Sequence, residues 1–327
     1  VSLEINEDGY NLQSDVIQAA TPYAQGGLQL SLSLPKDKEI SPFIKLQATL
    51  RNGDASQASL YLPAGILDDK LVSWLDQAIQ AGHLLRGDII AHGPLRKGTA
   101  EKRTVMLGFT GENAVFRFLP DWKEPIRQGL VDVIIDRGAV EAHAVSGTYY
   151  DQKIQHATVT LPRYKPSQPH ILSVRGKTQG QAQSGFKVLT ETPLAGYLGE
   201  FIHDFSMTGA LDVRLKLDAP LQHKAQPETT PDGEEVVENP GLAVTANIDL
   251  SEGSLTIASQ GLQVEDLSGE VEFDLDRGLQ AHQLTGTLFN GPLVGEITTT
   301  RLEQGRQIQL NVAGNGALQK IKEWKPM

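Results

Sequence analysis

Apolar and polar residues alternate one by one along much of this 327-residue chain. The clearest stretch is 209–218, with Leu211, Val213, Leu215 and Leu217 on one side and Asp212, Arg214, Lys216 and Asp218 on the other. A period of two is what a strand with one apolar and one wet face requires, because successive side chains leave opposite faces. Leu28, Leu30, Leu32 and Leu34 repeat it against Gln29, Ser31 and Ser33. So do Leu242/Val244/Ala246/Ile248/Leu250, Leu267/Gly269/Val271/Phe273/Leu275 and Ile308/Leu310/Val312. Segments 1–5 and 9–13 read as a hairpin closed by Asn6-Glu7-Asp8-Gly9, and residues 241–314 as almost pure strand and turn. The segments between predict more strands, for roughly 20 in all.

Helical periodicity surfaces twice. Leu71, Trp74, Leu75, Ala78 and Ile79 make one apolar face and predict a helix over 69–81. Asp68 is its N-cap, Leu67 and Val72 its staple, and Gly82 its stop. Leu194, Tyr197, Leu198, Phe201, Ile202 and Phe205 predict a second helix over 193–205, capped by Thr192 and started by Pro193. A short third helix is expected near 317–324. Residues 222–240, with Pro227, Pro231, Pro240 and a cluster of acids, keep no period and read as a mobile acidic loop. The fold class is mainly β. Periodicity alone favours a two-sheet sandwich over an open groove, since apolar strand faces in most β proteins meet a second sheet.

Charge and composition remove whole classes of function. The net charge of −11 argues against nucleic acid, whose binding rests on Lys and Arg neutralising phosphates. Aromatics make up only 6%, so any apolar surface is mainly aliphatic, and a carbohydrate-binding cleft lacks its usual rings. With no cysteine there is no disulfide, thiolate nucleophile or Cys-ligated metal. No apolar run approaches the ~20 residues of a membrane helix. The chain opens on Val1 without Met and reads as a segment cut from something longer.

Candidate chemistry is thin. None of the eight histidines is spaced from another as a local metal site requires. His203-Asp204 is read as helix surface, and Asp68-Asp69 as a helix start rather than a carboxylate pair. Gly314-Asn315-Gly316, Gly176-Lys177-Thr178 and Ser184/Lys187 each lack the surroundings that their motifs need. No catalytic residue, metal or cofactor is assigned.

Several pieces, in order, carry a resemblance: Leu60-Tyr61-Leu62-Pro63-Ala64-Gly65-Ile66-Leu67; Trp74-Leu75-Asp76-Gln77-Ala78-Ile79 followed by Gly82; Phe118-Leu119-Pro120-Asp121-Trp122; Thr192-Pro193-Leu194-Ala195; Leu267-Ser268-Gly269; and Phe289-Asn290-Gly291-Pro292-Leu293. Together they resemble the AsmA-like envelope proteins of the YhdP type, over most of 60–314. The resemblance implies a non-enzymatic lipid-transfer segment. Its long, strongly twisted antiparallel sheet is curled into an open groove, apolar inside and polar outside, with two or three short amphipathic helices. It further implies a periplasmic setting and phospholipid acyl chains as the ligand. The rest of a longer chain, with an inner-membrane anchor, is the implied partner, and other envelope proteins are possible ones. On that reading residues 1–327 are one elongated groove segment. The expected lining is Leu28, Leu30, Leu32, Leu211, Val213, Leu215, Leu217, Val244, Ile248, Leu250, Val271, Phe273, Leu275, Ile308, Leu310 and Val312. The helix faces around Trp74 and Phe201 could cap or gate the groove; plain packing on the sheet is the favoured expectation. The competing reading is a structural β-scaffold that binds protein partners through its open strand edges.

Overall fold

The computed structural model describes residues 1–60, 69–96, 102–117, 121–165, 168–195, 203–221, 241–302 and 305–324. Seventeen strands occur among them. They are β1 (Ser2–Ile5), β2 (Gly9–Gln13), β3 (Ile17–Ala20), β4 (Gln25–Pro35), β5 (Phe43–Asp54), β6 (Ile79–Pro94), β7 (Thr104–Phe116), β8 (Ile126–Asp136) and β9 (Ala139–Tyr149). There follow β10 (Gln152–Leu161), β11 (Ile171–Gln181), β12 (Phe205–Pro220), β13 (Ala243–Ile257), β14 (Leu262–Asp274), β15 (Gly278–Leu288), β16 (Gly291–Leu302) and β17 (Gly305–Gly314). The helices are α1 (Asp69–Ala78), α2 (Ala182–Glu191) and α3 (Leu318–Glu323).

The strands form one antiparallel sheet that does not close into a barrel. Its order follows the chain. β1 pairs with β2, and β2 and β3 lie end to end along β4. From β4 each strand pairs with the next as far as β17. At about 4.8 Å per neighbour, the sheet runs roughly 70 Å along its curl. No second sheet faces it among the described residues, so the sandwich is excluded.

The up-and-down order gives the sheet two long margins. One carries the connections β1–β2, β4–β5, β6–β7, β8–β9, β10–β11, β12–β13, β14–β15 and β16–β17. In several of these the chain reverses in a few residues. Asn6 Oδ1 accepts from the Asp8 and Gly9 amides, and Asp274 Oδ1 from the Asp276 and Arg277 amides. The other margin carries every helix: α1 between β5 and β6, α2 between β11 and β12, and α3 after β17.

Near this helical margin a row of irregularities crosses the sheet. Asn52, Asn113, Gln128, Glu252 and Asp266 have positive φ, as do Gly82, Gly147, Gly209 and Gly269. Register shifts fall beside most of them. A bulge bends its strand and raises its twist, so a row of bulges curls the sheet toward one face. At the Gly209 bulge the backbone is so close that a Cβ would stand 2.5 Å from Gly253 Cα.

The helices depart from the sequence reading in three places. α1 ends at Ala78, and Gly82 lies within β6, where its φ of +141° serves a bulge instead of a helix stop. α2 was not anticipated; it occupies Ser184 and Lys187 and ends where a helix was expected to begin. Thr192 Oγ1 does accept from the Leu194 amide (3.3 Å), and His203-Asp204 are 3-10 helical, but Phe205 opens β12. The rest of that helix, Phe201 included, lies outside the described residues, as do Asp68, Leu67 and the loop 222–240. α3 sits where the third helix was expected.

Candidate functional site: the apolar face

Cross-strand register carries the alternation of each strand into one continuous surface. A single row runs Gly26, Leu50, Gly87, Phe109, Val133, Ala142, Val159, Val174, Leu217 and Val244, one residue from each of ten successive strands. On the next strands Val213 lies opposite Ile248 and Ile248 opposite Val271, while Leu215, Ala246 and Phe273 form the adjacent rank. Leu211 faces Leu250, and Leu275 is tied by its amide to Val244 O (2.8 Å). Leu28, Leu30 and Leu32 lie opposite Ala48, Leu46 and Ile44. Ile308, Leu310 and Val312 lie opposite Thr299, Ile297 and Gly295. All sixteen residues of the expected lining thus fall on one face.

The opposite face is wet. Asp212 meets Lys177 (3.4 Å), and Arg214 meets Asp249 (3.2 Å) and Glu270 (3.3 Å) across successive strands. A separate concavity of about 840 Å3 lies on this face, lined among others by Ile134, Glu141, Ile171, Arg175 and Asp218. At the turn margin it also reaches Val140 and Leu161 of the apolar face.

Sequence reading missed the middle of the face: Ile89, Leu107, Ile135, Val140, Val159 and Val174. The signal was present but blurred, because Ile90, Met106 and Ile134 put apolar side chains on the outer face of the same strands, 40–51% exposed. Three consecutive apolar residues, Val133-Ile134-Ile135, hide a period of two.

How open the face is varies along the sheet. Leu3, Ile5 and Leu34 are 40–63% exposed at the start, and Leu310 and Val312 are 38% and 43% exposed at the end. Between them the chain covers its own floor. Leu75 of α1 is buried among Ile89, Leu107, Ile135 and Val140. Trp122 and Leu194 are buried with Leu217, Val244, Phe273 and Leu275, and Phe186 and Leu189 of α2 pack against the same group. Packing on the sheet is therefore what the described part of α1 does; the Trp74 side chain lies outside the described residues.

The covered stretch holds two unpartnered polar atoms, Tyr149 Oη and Gln152 Oε1. Gln152 uses its other amide atom to donate to Gln181 O at the start of α2 (2.7 Å). Burial pushes the Tyr149 phenol well above its ordinary value, with Tyr150 and Glu124 adding to the effect. Among the described residues no group of three or more His, Asp or Glu is placed to hold a metal ion, and no helix is long and apolar enough to cross a membrane.

An open sheet with one apolar face, built hairpin by hairpin, is the geometry that the ordered sequence pieces led one to expect. The profile of the family described as YhdP protein matches residues 1–327. The chain belongs to the YhdP family. It is 25% identical over 316 residues to the intermembrane phospholipid transporter YhdP of Escherichia coli (strain K12). That match takes in 94% of this chain and 22% of the relative, so the chain spans about a fifth of the length of the curated YhdP protein. No solved structure matches.

Proposed function

We propose that this YhdP-family chain is one segment of a phospholipid conduit, holding acyl chains on the apolar face of its curled sheet without catalysing a reaction. The observation that carries the reading is the continuity of that face across strand after strand, with no second sheet to occupy it among the described residues and with both ends exposed. Each methylene taken from water onto such a surface gains about 0.8 kcal/mol. Aliphatic contacts are non-directional, so tails can slide along the row. The relative's description as an intermembrane phospholipid transporter supports phospholipid as the ligand and the cell envelope, on its periplasmic side, as the place. Where α1, Trp122, Leu194 and α2 cover the floor, tails enter only if these covers lift or if the tails pass beside them.

Native mass spectrometry of the chain purified from a Gram-negative host tests this. Phospholipid should remain bound. Leu310→Asp with Val312→Asp, at the exposed end where the fold tolerates a charge, should lower its retention about tenfold or more, since a carboxylate on an apolar floor must be desolvated. Gln309→Asp with Asn311→Asp, on the wet face, should leave retention unchanged. A lipid-free wild-type chain that captures envelope proteins through its strand edges would favour the scaffold reading instead.

A further inference from the structure

The two margins of the sheet differ in charge as well as in form. The chain as a whole is acidic, with 40 Asp and Glu against 29 Lys and Arg. Three consecutive connections on the turn margin reverse this balance. Residues 95–103, 137–138 and 162–170, joining β6–β7, β8–β9 and β10–β11, hold seven Lys and Arg and a single Glu. Three of the cations are held locally: Arg96 donates to Glu39 O (3.1 Å), Arg103 to Pro94 O (2.9 Å) and Arg137 to Asp136 (3.2 Å). Lys102, Arg163 and Lys165 are exposed, with no carboxylate within ion-pair distance among the described residues.

The described ends of these connections adjoin the apolar floor. Val105, two residues past Arg103, and Leu161, two before Arg163, both lie in its rows. Neighbouring connections on one margin are two strands apart, about 10 Å. The stretch is bounded in sequence by 222–240, the next connection on that margin, with Glu228, Asp232, Glu234, Glu235 and Glu238. Across the sheet, the helical margin offers Glu124, Asp151, Glu191 and Asp204 beside its few cations.

We infer that Lys102, Arg163 and Lys165, on the turn margin, receive the phosphates of glycerophospholipids whose tails lie on the apolar face. The inference rests on the proposed function. Charge complementarity singles out the phosphate: exposed cations that form no ion pair among the described residues sit at each end of the stretch, two to four residues along the chain from Val105 and Leu161 of the floor. Lys and Arg hold phosphate at the surface without the burial that would stop it moving on. The opposite margin, acidic and covered by helices, repels the same group. Headgroups therefore travel along one rim only.

The test separates this rim from the groove. The delipidated chain is incubated with vesicles of phosphatidylglycerol in phosphatidylcholine, with dioleoylglycerol (the same tails without phosphate), or with glycerol 3-phosphate alone. Retained ligand is read by native mass spectrometry. Lys102→Glu/Arg163→Glu/Lys165→Glu should lower phosphatidylglycerol retention roughly tenfold and leave dioleoylglycerol unchanged. The milder Lys102→Gln/Arg163→Gln/Lys165→Gln should give a smaller loss that fades as salt is raised. Lys123→Glu/Lys187→Glu, on the helical margin, should change nothing. Equal loss from the two margins, loss of dioleoylglycerol as well, or no loss at all would overturn the rim while the groove reading stands. Tight binding of glycerol 3-phosphate alone would overturn the lipid source in favour of a free-phosphate site. A wild-type chain that retains neither lipid would overturn both readings.

Discussion

Leu217 and Val244 lie opposite each other on neighbouring strands, with Phe273 one rank over on the next strand, each about 1–2% exposed. They are among the most deeply buried side chains of the apolar face and belong to folding before they belong to any ligand. Leu217→Ala should lower unfolding free energy by about 2–5 kcal/mol in a denaturant titration, because the cavity cannot collapse between two flanking strands. Arg214→Ala, one face away, should cost less than about 1 kcal/mol although it breaks two ion pairs, since both are half-exposed. At Asp274, partial burial works to raise the pKa. It is outweighed by the Arg277 and Asp276 amides and the Arg277 guanidinium, which hold the carboxyl below its ordinary value of 3.8. A depressed folded value means that this group's contribution is fully present above pH 3.8 and is lost as pH falls through the folded value. Asp274→Asn should flatten that part of an acid-unfolding curve and leave stability near pH 7 little more than slightly reduced.

Elements with a strict period were legible residue by residue, and elements defined by an exception to it were not. The leucines of β4 and β12 fall where alternation put them, because a one-residue slip would turn every one of them to water. β3 escaped notice because Ile17-Gln18-Ala19-Ala20 is too short to show a period. α2 escaped because Ala182-Gln183-Ser184-Gly185 opens it without a side-chain cap and places a glycine in its first turns. That glycine has a packing reason visible only in the fold: a Cβ on Gly185 would stand 2.7 Å from Leu211 Cδ1. Glycines in the strands misled in the other direction. Gly82 looked like a helix stop and is instead one of the bulges that bend the sheet. Gly209→Val should therefore be more damaging than its half-buried position suggests. It should lower the unfolding midpoint by several degrees, from a backbone clash with Gly253 and a φ of +112° that valine resists.

On the scale of the whole molecule, the curl is what no local pattern announced. Alternation predicts that a face is apolar, yet whether a second sheet or a ligand meets it depends on how bulges bend seventeen strands and on where helices cross. The ends of the sheet leave Leu3, Ile5, Leu310 and Val312 exposed to an extent that a self-contained core would not tolerate over so many strands. The middle is closed by the chain's own Trp122, Leu194 and α2. An account in which lipid tails occupy this face therefore makes a positional demand. A photo-crosslinking residue placed in turn at Leu30, Val213 and Leu310, and at their neighbours Gln29, Arg214 and Gln309, should form phospholipid adducts in Gram-negative cells from the first set and not from the second. Adducts from both sets alike, or from Gln29, Arg214 and Gln309 alone, would contradict it.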